Sequence, residues 1–288
     1  MKILVTGLNG LVGSRIKELL TDYELENISR STGVDITQKE QIYDAIGGSG
    51  AEVVLHLAAK TDVDGCEREK DLAEESEAWK INVIGTKNVA EACLELGKKL
   101  IYISTDFVFD GEIGENEFYD EDSLPNPINF YAKTKYEGEK VVKELSSSWI
   151  IARLAYPYRA NFVKNDFARA IKSRLELGQE VAAITDHIFC PTFIDDVAFA
   201  LDKLINSEAT GIFHVVGSQP LSPFDSASLI ANEFGLDSSL IKPATREEFF
   251  KDRAKRPFRL ALKNDKIQKL GIGMKTFEQG LKEIKNQI

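Results

Sequence analysis

From residue 2 to about Leu154, short apolar runs alternate with longer segments whose apolar positions recur at helical spacing. Lys2–Thr6, Leu25–Ser29, Val53–Ala58, Leu100–Ser104 and Trp149–Leu154 have the length and β-rich content of strands. Between them, Ser14–Leu20, Gln38–Ile46, Glu75–Leu96 and Tyr131–Leu145 carry helical periodicity with few breakers. Strands apolar on both faces and separated by helices predict an α/β fold, a doubly wound parallel sheet covered on both sides. A ligand site is then expected at the carboxyl ends of the strands. Past Leu154 the alternation loosens. Helical segments at Asp166–Leu177 and Asp195–Asn206 precede a strand-like Ile212–Val216, a helix at Ser226–Phe234 and a basic stretch around Arg253–Arg259. The division predicted is a dinucleotide-binding domain at 1–154 and a smaller, interleaved lobe at 155–288, mainly substrate-binding, with late elements returning to the sheet.

Bulk composition narrows the function classes. The 288 residues are 43% hydrophobic and 28% charged, ordinary for a soluble globular chain. A net charge of −10 argues against nucleic acid or an anionic membrane as partner. A small anionic ligand stays compatible, since a few backbone amides and arginines suffice to bind phosphate. Cys66, Cys93 and Cys190 are widely spaced, without metal-binding spacing, and read as reduced cytosolic thiols with no metal site. No apolar run approaches the roughly 18 residues that span a bilayer. Glycines break the apolar stretch of the first twenty residues, which therefore reads as structure rather than a signal peptide.

Directly after the first strand, TGLNGLVGSRI sets Gly7, Gly10 and Gly13 around Asn9, Leu11 and Val12 before a helix. The first glycine suits a tight turn, the second a close approach of pyrophosphate, the third helix-to-strand packing; this is the Rossmann arrangement. The second strand ends at Ser29-Arg30 rather than at an acid that binds both ribose hydroxyls. Arg30, with Ser29 or Ser31, suits a 2′-phosphate, so NADP(H) is favoured, with NAD(H) left open. Asp35, Ile36, Leu57, Ala58, Ala59 and Thr61 fall where this fold lines adenine and ribose pockets. His56, in an apolar strand, reads as a core histidine.

At the other end of the site, Tyr131 and Lys135 form a YxxxK motif on one face of a helix. A phenol can deliver the proton needed for carbonyl reduction if a neighbouring ammonium lowers its pKa. Thr105, or Ser104, at the end of a strand can hold the reacting oxygen beside Tyr131. For Thr105 and Asp106 the competing reading is strand-end capping. Arg153, Arg256 and Arg259 are candidate cations for a phosphate-bearing substrate, against the reading that each is paired with a neighbouring acid.

The glycine motif, HLAAKTDVDGCE, AWKINVIGTKNVAEAC, STDFVFDG, PINFYAKTKYEGEK, PTFIDDVA and Arg256-Pro257 resemble the extended short-chain dehydrogenase/reductase superfamily, in its dTDP-4-dehydrorhamnose reductase-like branch. The resemblance extends over most of the chain. It implies an NAD(P)H-dependent reductase of a keto group on a nucleotide sugar, with Thr105, Tyr131 and Lys135 as catalytic residues. It also implies that Asn82 supports the site and that Asp106, Phe107, Arg153, Tyr156 and Arg256 face substrate. Departures fall on the substrate side. Phe107 stands for a common tyrosine, Arg153-Leu154-Ala155-Tyr156-Pro157 lacks the usual tryptophan, Leu260 replaces a serine, and Asp186–Thr192 differs from the expected loop. A non-catalytic NADP-binding regulatory subunit, like that of methionine adenosyltransferase, and a nucleotide-sugar epimerase or dehydratase are the alternatives. A cytoplasmic setting is expected, and a homodimer is left open.

Overall fold

The strands in chain order are β1 (Lys2–Thr6), β2 (Glu24–Ile28), β3 (Val53–His56), β4 (Lys99–Thr105), β5 (Trp149–Leu154), β6 (Pro157–Tyr158), β7 (Val181–Ile184), β8 (Thr192–Phe193), β9 (Gly211–His214) and β10 (Ile241–Ala244) in a computed structural model of residues 1–288. Six build one sheet in the order β2-β1-β3-β4-β5-β9, and every pairing in it is parallel. The chain moves outward from β1 to β2, then crosses to β3 on the other flank. Such a switch point leaves a crevice at the carboxyl ends of β1 and β3. Register aligns those ends, with Thr6 opposite both Ile28 and His56, and Thr105 opposite Leu154.

Side-chain alternation sends neighbouring residues to opposite faces. Ile3, Val5, Leu55 and Ile101 pack with Ile16, Val197, Leu201 and Leu204 on one face. Leu4, Val54, Leu100 and Tyr102 pack with Ile42, Ile46, Val89 and Val142 on the other. Each fully buried aliphatic side chain contributes about 1.5–3 kcal/mol, so the two layers dominate the stability of the sheet. β2 departs from the expected two-sided burial: four of its five residues are at least partly exposed, because it is an edge strand with a neighbour on one side only.

The expected helix Glu75–Leu96 is broken. A 3₁₀ segment Lys70–Glu75 is followed by one turn at Glu77–Trp79, a π-helical stretch Lys80–Gly85 and a regular helix Thr86–Glu95. Ser76 starts the second piece by accepting a hydrogen bond from Trp79 N–H at 3.1 Å. From Ser76 on, the buried positions Ser76, Ala78, Asn82, Val83, Thr86 and Val89 keep a helix-like spacing across the breaks, so spacing alone does not reveal them.

β9 returns to the main sheet beside β5, while β6–β8 and β7–β10 form two small parallel pairs. A single bridge between Ile188 and Arg259 ties the loop before β8 to the late basic stretch. No helix is long and apolar enough to cross a membrane. All three cysteines are free and buried. Burial pushes Cys66 up to about 11 and Cys93 and Cys190 up to about 12, which disfavours their reactive thiolates.

Candidate active site

One cleft of about 810 Å³ runs along the carboxyl edge of the sheet. Its first end is the glycine loop, with Gly7, Asn9, Gly10, Leu11, Val12 and Gly13 on its wall. Gly7 has φ +74°, and a Cβ there would stand 2.8 Å from the Ala58 nitrogen. At Gly13 a Cβ would meet Gly7 O at 2.6 Å, so this glycine lets the helix Leu11–Leu19 pack against the loop. The helix begins at Gly10 without a side-chain cap, and its first turn holds no acid. Its leading N–H groups have no intrahelical partner. Open backbone, free amides and the positive end of a helix dipole fit a pyrophosphate.

Ser29, Arg30, Asp35 and Ile36 continue the wall. Arg30 Nε donates to Asp35 Oδ2 at 2.9 Å, and its side chain remains 61% exposed. Asp35 also accepts from Thr37 N–H and Oγ1–H, both at 2.9 Å. Burial opposes ionisation of Asp35, but the bonds from Thr37 and Arg30 prevail and hold its pKa below the usual carboxylate value. Leu57, Ala58, Ala59 and Thr61 line the middle of the cleft. His56 does not: it is fully buried between Thr6 Oγ1 at 2.6 Å and Thr86 Oγ1 at 3.1 Å, and burial, then the Lys135 charge, brings it down to about 3.

The second end gathers Ser104, Thr105, Asp106 and Phe107 from the end of β4 with Tyr131 and Lys135 from the helix Phe130–Leu145. Asn129 caps that helix by accepting from Ala132 N–H at 2.8 Å, which sets Tyr131 in its first turn and Lys135 one turn on. Lys135 Nζ donates to Ile103 O at 2.8 Å and lies 4.2 Å from the centre of the Tyr102 ring. Thr105 Oγ1 donates to Asp106 Oδ1 at 3.0 Å and accepts from Phe107 N–H at 3.2 Å.

The electrostatics correct one expectation. Burial raises Tyr131 well above its ordinary value, the Thr105 hydroxyl opposing and Asp106 adding to the rise. Lys135 is itself brought down to about 7 by burial, with Glu139 pulling the other way. Desolvation thus sets both groups, and Lys135 is not among the charges that shift the phenol.

Asn82 lies outside the cleft wall and is fully buried in the π-helical stretch. Its Oδ1 accepts from Lys60 N–H at 2.8 Å, and its Nδ2 donates to Lys60 O at 3.0 Å and Thr134 Oγ1 at 2.9 Å. It therefore clamps the loop after β3 to the helix that carries Tyr131 and Lys135.

The three candidate substrate arginines do not line the cleft. Arg153 is fully buried against Glu139, through Nε to Oε1 at 2.9 Å and Nη2 to Oε2 at 2.7 Å. Arg256 pairs with Asp64 at 2.9 Å and donates to Ala254 O at 2.7 Å. Arg259 bridges to Ile188 through its backbone, and its Nε is buried without a partner. For Arg153 and Arg256, acids 14 and 192 residues away take the charge that composition alone left free.

Tyr156 does reach the cleft, beside Phe107 and beside Phe167, a lining residue that no motif announced. It has φ +39°, a strained conformation for a bulky residue. Its hydroxyl lies 3.0 Å from His187 Nε2, while His187 Nδ1 lies 2.7 Å from Pro257 O. A carbonyl only accepts, so Nδ1 carries the hydrogen, Nε2 accepts, and Tyr156 donates. Burial holds His187 down at about 4. Asp166, a polar lining residue that was also missed, caps the helix Phe167–Glu176 by accepting from Arg169 N–H at 3.0 Å.

Comparison with known proteins adds three findings. The model of the RmlD substrate binding domain family matches residues 1–288. A dTDP-4-dehydrorhamnose reductase of Aggregatibacter actinomycetemcomitans is 32% identical over 301 residues, covering 99% of this chain and 98% of its own, and methionine adenosyltransferase 2 subunit beta of Mus musculus is 28% identical over 98% of this chain and 86% of its own. Among solved structures, a dTDP-4-dehydrorhamnose reductase from Bacillus anthracis in complex with NADP superposes with a TM-score of 0.90 at 31% identity, covering 100% of this chain and 99% of that one.

Proposed function

The chain belongs to the RmlD substrate binding domain family, within the extended short-chain dehydrogenases/reductases, and on that premise we propose that Thr105, Tyr131 and Lys135 carry out its reduction of a substrate carbonyl. It is an NADP(H)-dependent oxidoreductase that reduces a keto group on a nucleotide-activated sugar. The observation that carries the assignment of roles is the cleft itself, in which a phosphate-binding glycine loop and the Thr105, Tyr131 and Lys135 side chains share one wall.

Bound NADPH supplies hydride to the carbonyl carbon. The residues that would hold it are the Gly7–Gly13 loop at the pyrophosphate, Arg30 with Ser29 at the 2′-phosphate, Asp35 and Ile36 at the adenosine, and Lys135 at the nicotinamide ribose. Tyr131 gives its phenolic proton to the substrate oxygen. Thr105 orients that oxygen, and Lys135, when ammonium, stabilises the phenolate left behind. Asp106, Phe107 and Tyr156 meet the sugar. Residues 1–154 hold the dinucleotide and 155–288 mainly supply the substrate lobe. On this reading the protein works in the cytoplasm, with no nucleic acid as partner and with a homodimer left open.

Phe107 and the Tyr156–His187 pair stand where the resemblance leads one to expect other side chains, so dTDP-4-dehydrorhamnose itself should be a poor substrate. The test mixes the protein with NADPH and a panel of nucleotide 4-keto sugars and follows absorbance of the reduced nicotinamide. Turnover of at least one member supports the reading. Efficient turnover of dTDP-4-dehydrorhamnose overturns the substrate restriction, and silence across the panel with tight NADP binding favours a regulatory subunit.

A further inference from the structure

Thr105 has one hydroxyl hydrogen, and in this structure it goes to Asp106 Oδ1. Held that way, the hydroxyl offers a substrate carbonyl nothing to accept, although the keto-reduction reading needs that bond. The arrangement belongs to an ionised Asp106, which can only accept. A neutral carboxyl reverses it, because its own O–H can donate to Thr105 Oγ1.

The surroundings of Asp106 favour the neutral form. The residue is 2% exposed on the cleft wall, and its Oδ2 has no hydrogen-bond partner. A buried carboxylate without a cation and with one bare oxygen is costly unless it takes up a proton. Burial pushes the carboxyl up to about 7, and the Thr105 hydroxyl and two backbone N–H groups offset this only in part. Tyr131 from the helix, Tyr156 after β5 and Cys190 before β8 face it, and its charge raises all three. Cys66 faces Tyr131 from the helix Val63–Arg68. Lys135 is bound to Ile103 O, Arg256 is held by Asp64, and Arg259 acts on Cys190.

We propose that Asp106 is a positioning residue that stays protonated during turnover: its neutral carboxyl donates to Thr105 Oγ1, which turns the threonine hydrogen toward the substrate carbonyl oxygen. Thr105 then accepts from Asp106 and from Phe107 N–H and donates once, which uses its full hydrogen-bonding capacity. The Asp106 proton is not consumed. The hydrogen on the product oxygen comes from Tyr131, and the hydride on carbon from the reduced nicotinamide.

The inference rests on the keto-reduction reading, and its test separates the two. With whichever 4-keto nucleotide sugar the unaltered enzyme reduces, kcat is followed from pH 5.5 to 9 for wild type, Asp106→Asn and Asp106→Ala. Wild type should lose kcat as pH rises through neutrality, when ionised Asp106 reclaims the Thr105 hydrogen. Asp106→Asn, whose amide N–H donates at every pH, should lose the Asp106 share of that limb and keep only the shallower one set by deprotonation of Lys135. Asp106→Ala keeps the Thr105 hydrogen but no longer aims it, so its kcat should lie below that of Asp106→Asn at every pH. An alkaline limb as steep in Asp106→Asn as in wild type, or equal losses in the two variants, overturns the proposal. If no sugar is reduced, the keto-reduction reading fails on its own. The proton is then read by infrared spectroscopy of the NADP-bound protein: a protonated-carboxyl band present at pH 6, diminished at pH 8 and missing in Asp106→Asn supports the proposal, and its absence from wild type at pH 6 overturns it.

Discussion

Arg153 and Glu139 meet in the interior through two hydrogen bonds, and Ser104 Oγ adds a third to the same carboxylate at 2.6 Å. The pair ties β5 to the helix that carries Tyr131 and Lys135, and Ser104 ties both to β4. Arg153→Ala leaves a buried carboxylate without its cation, which costs about 3–5 kcal/mol. Urea unfolding should register that loss directly. Wild-type stability combined with a raised KM would return Arg153 to the substrate.

Tyr131→Phe removes the proton donor and little else. Turnover should fall by about 100-fold or more, with NADP binding close to wild type by calorimetry. Lys135→Ala should lower turnover and weaken NADP binding together, since its amine is placed for two tasks. Near-full activity of the phenylalanine variant on a confirmed substrate would remove Tyr131 from the mechanism.

Arg30→Ala should weaken NADPH binding by about 1.5–3 kcal/mol and leave NADH nearly unaffected, as expected for the loss of a charge-assisted bond to a 2′-phosphate. Dissociation constants for the two cofactors give the answer. Equal losses would mean that Arg30 serves only to hold Asp35, with which it already pairs.

Acid should destabilise the protein before most carboxylates titrate. Burial lowers His56 and His214 to about 3 and His187 to about 4, against about 6.5 in an unfolded chain. Their folded values are depressed, so their contribution is complete above about pH 6.5 and is lost as pH falls toward 4. Each removes up to about 1.4 kcal/mol per pH unit. Asp106, raised to about 7, works in the opposite sense over the same window, because its contribution is lost as pH rises. Three histidines against one carboxyl leave a net loss. Urea midpoints at pH 7, 6 and 5 should decline in order, and more steeply in Asp106→Asn. A flat series would contradict the buried neutral histidines.

How legible each feature was depended on how local its cause is. β1 and β5 lie where the apolar runs placed them, and the other main-sheet strands shift by at most two residues at their ends, since a strand buried on both faces records its burial in consecutive residues. The break in the expected helix was illegible because the one-turn and π-helical pieces keep buried positions at helix-like spacing, while the 3₁₀ piece before them buries no residue. At the site, Tyr131 and Lys135 share one helix, and the glycine loop is continuous, so their relation is written in spacing. Asp166 and Phe167 reach the same wall from a separate helix start, with no motif to mark them.

By itself the sequence determined the parallel α/β layout, the phosphate loop and the Tyr131–Lys135 pair, all of which follow from backbone geometry over a few residues. Only the tertiary structure decided which charges are free. Arg153 and Arg256 looked alike as unassigned cations, but folding brings Glu139 to one and Asp64 to the other. It also left Asp106 buried with no cation and one unpartnered oxygen. Charge pairing and desolvation depend on distances between residues far apart in the chain, and those distances exist only once the layers have packed.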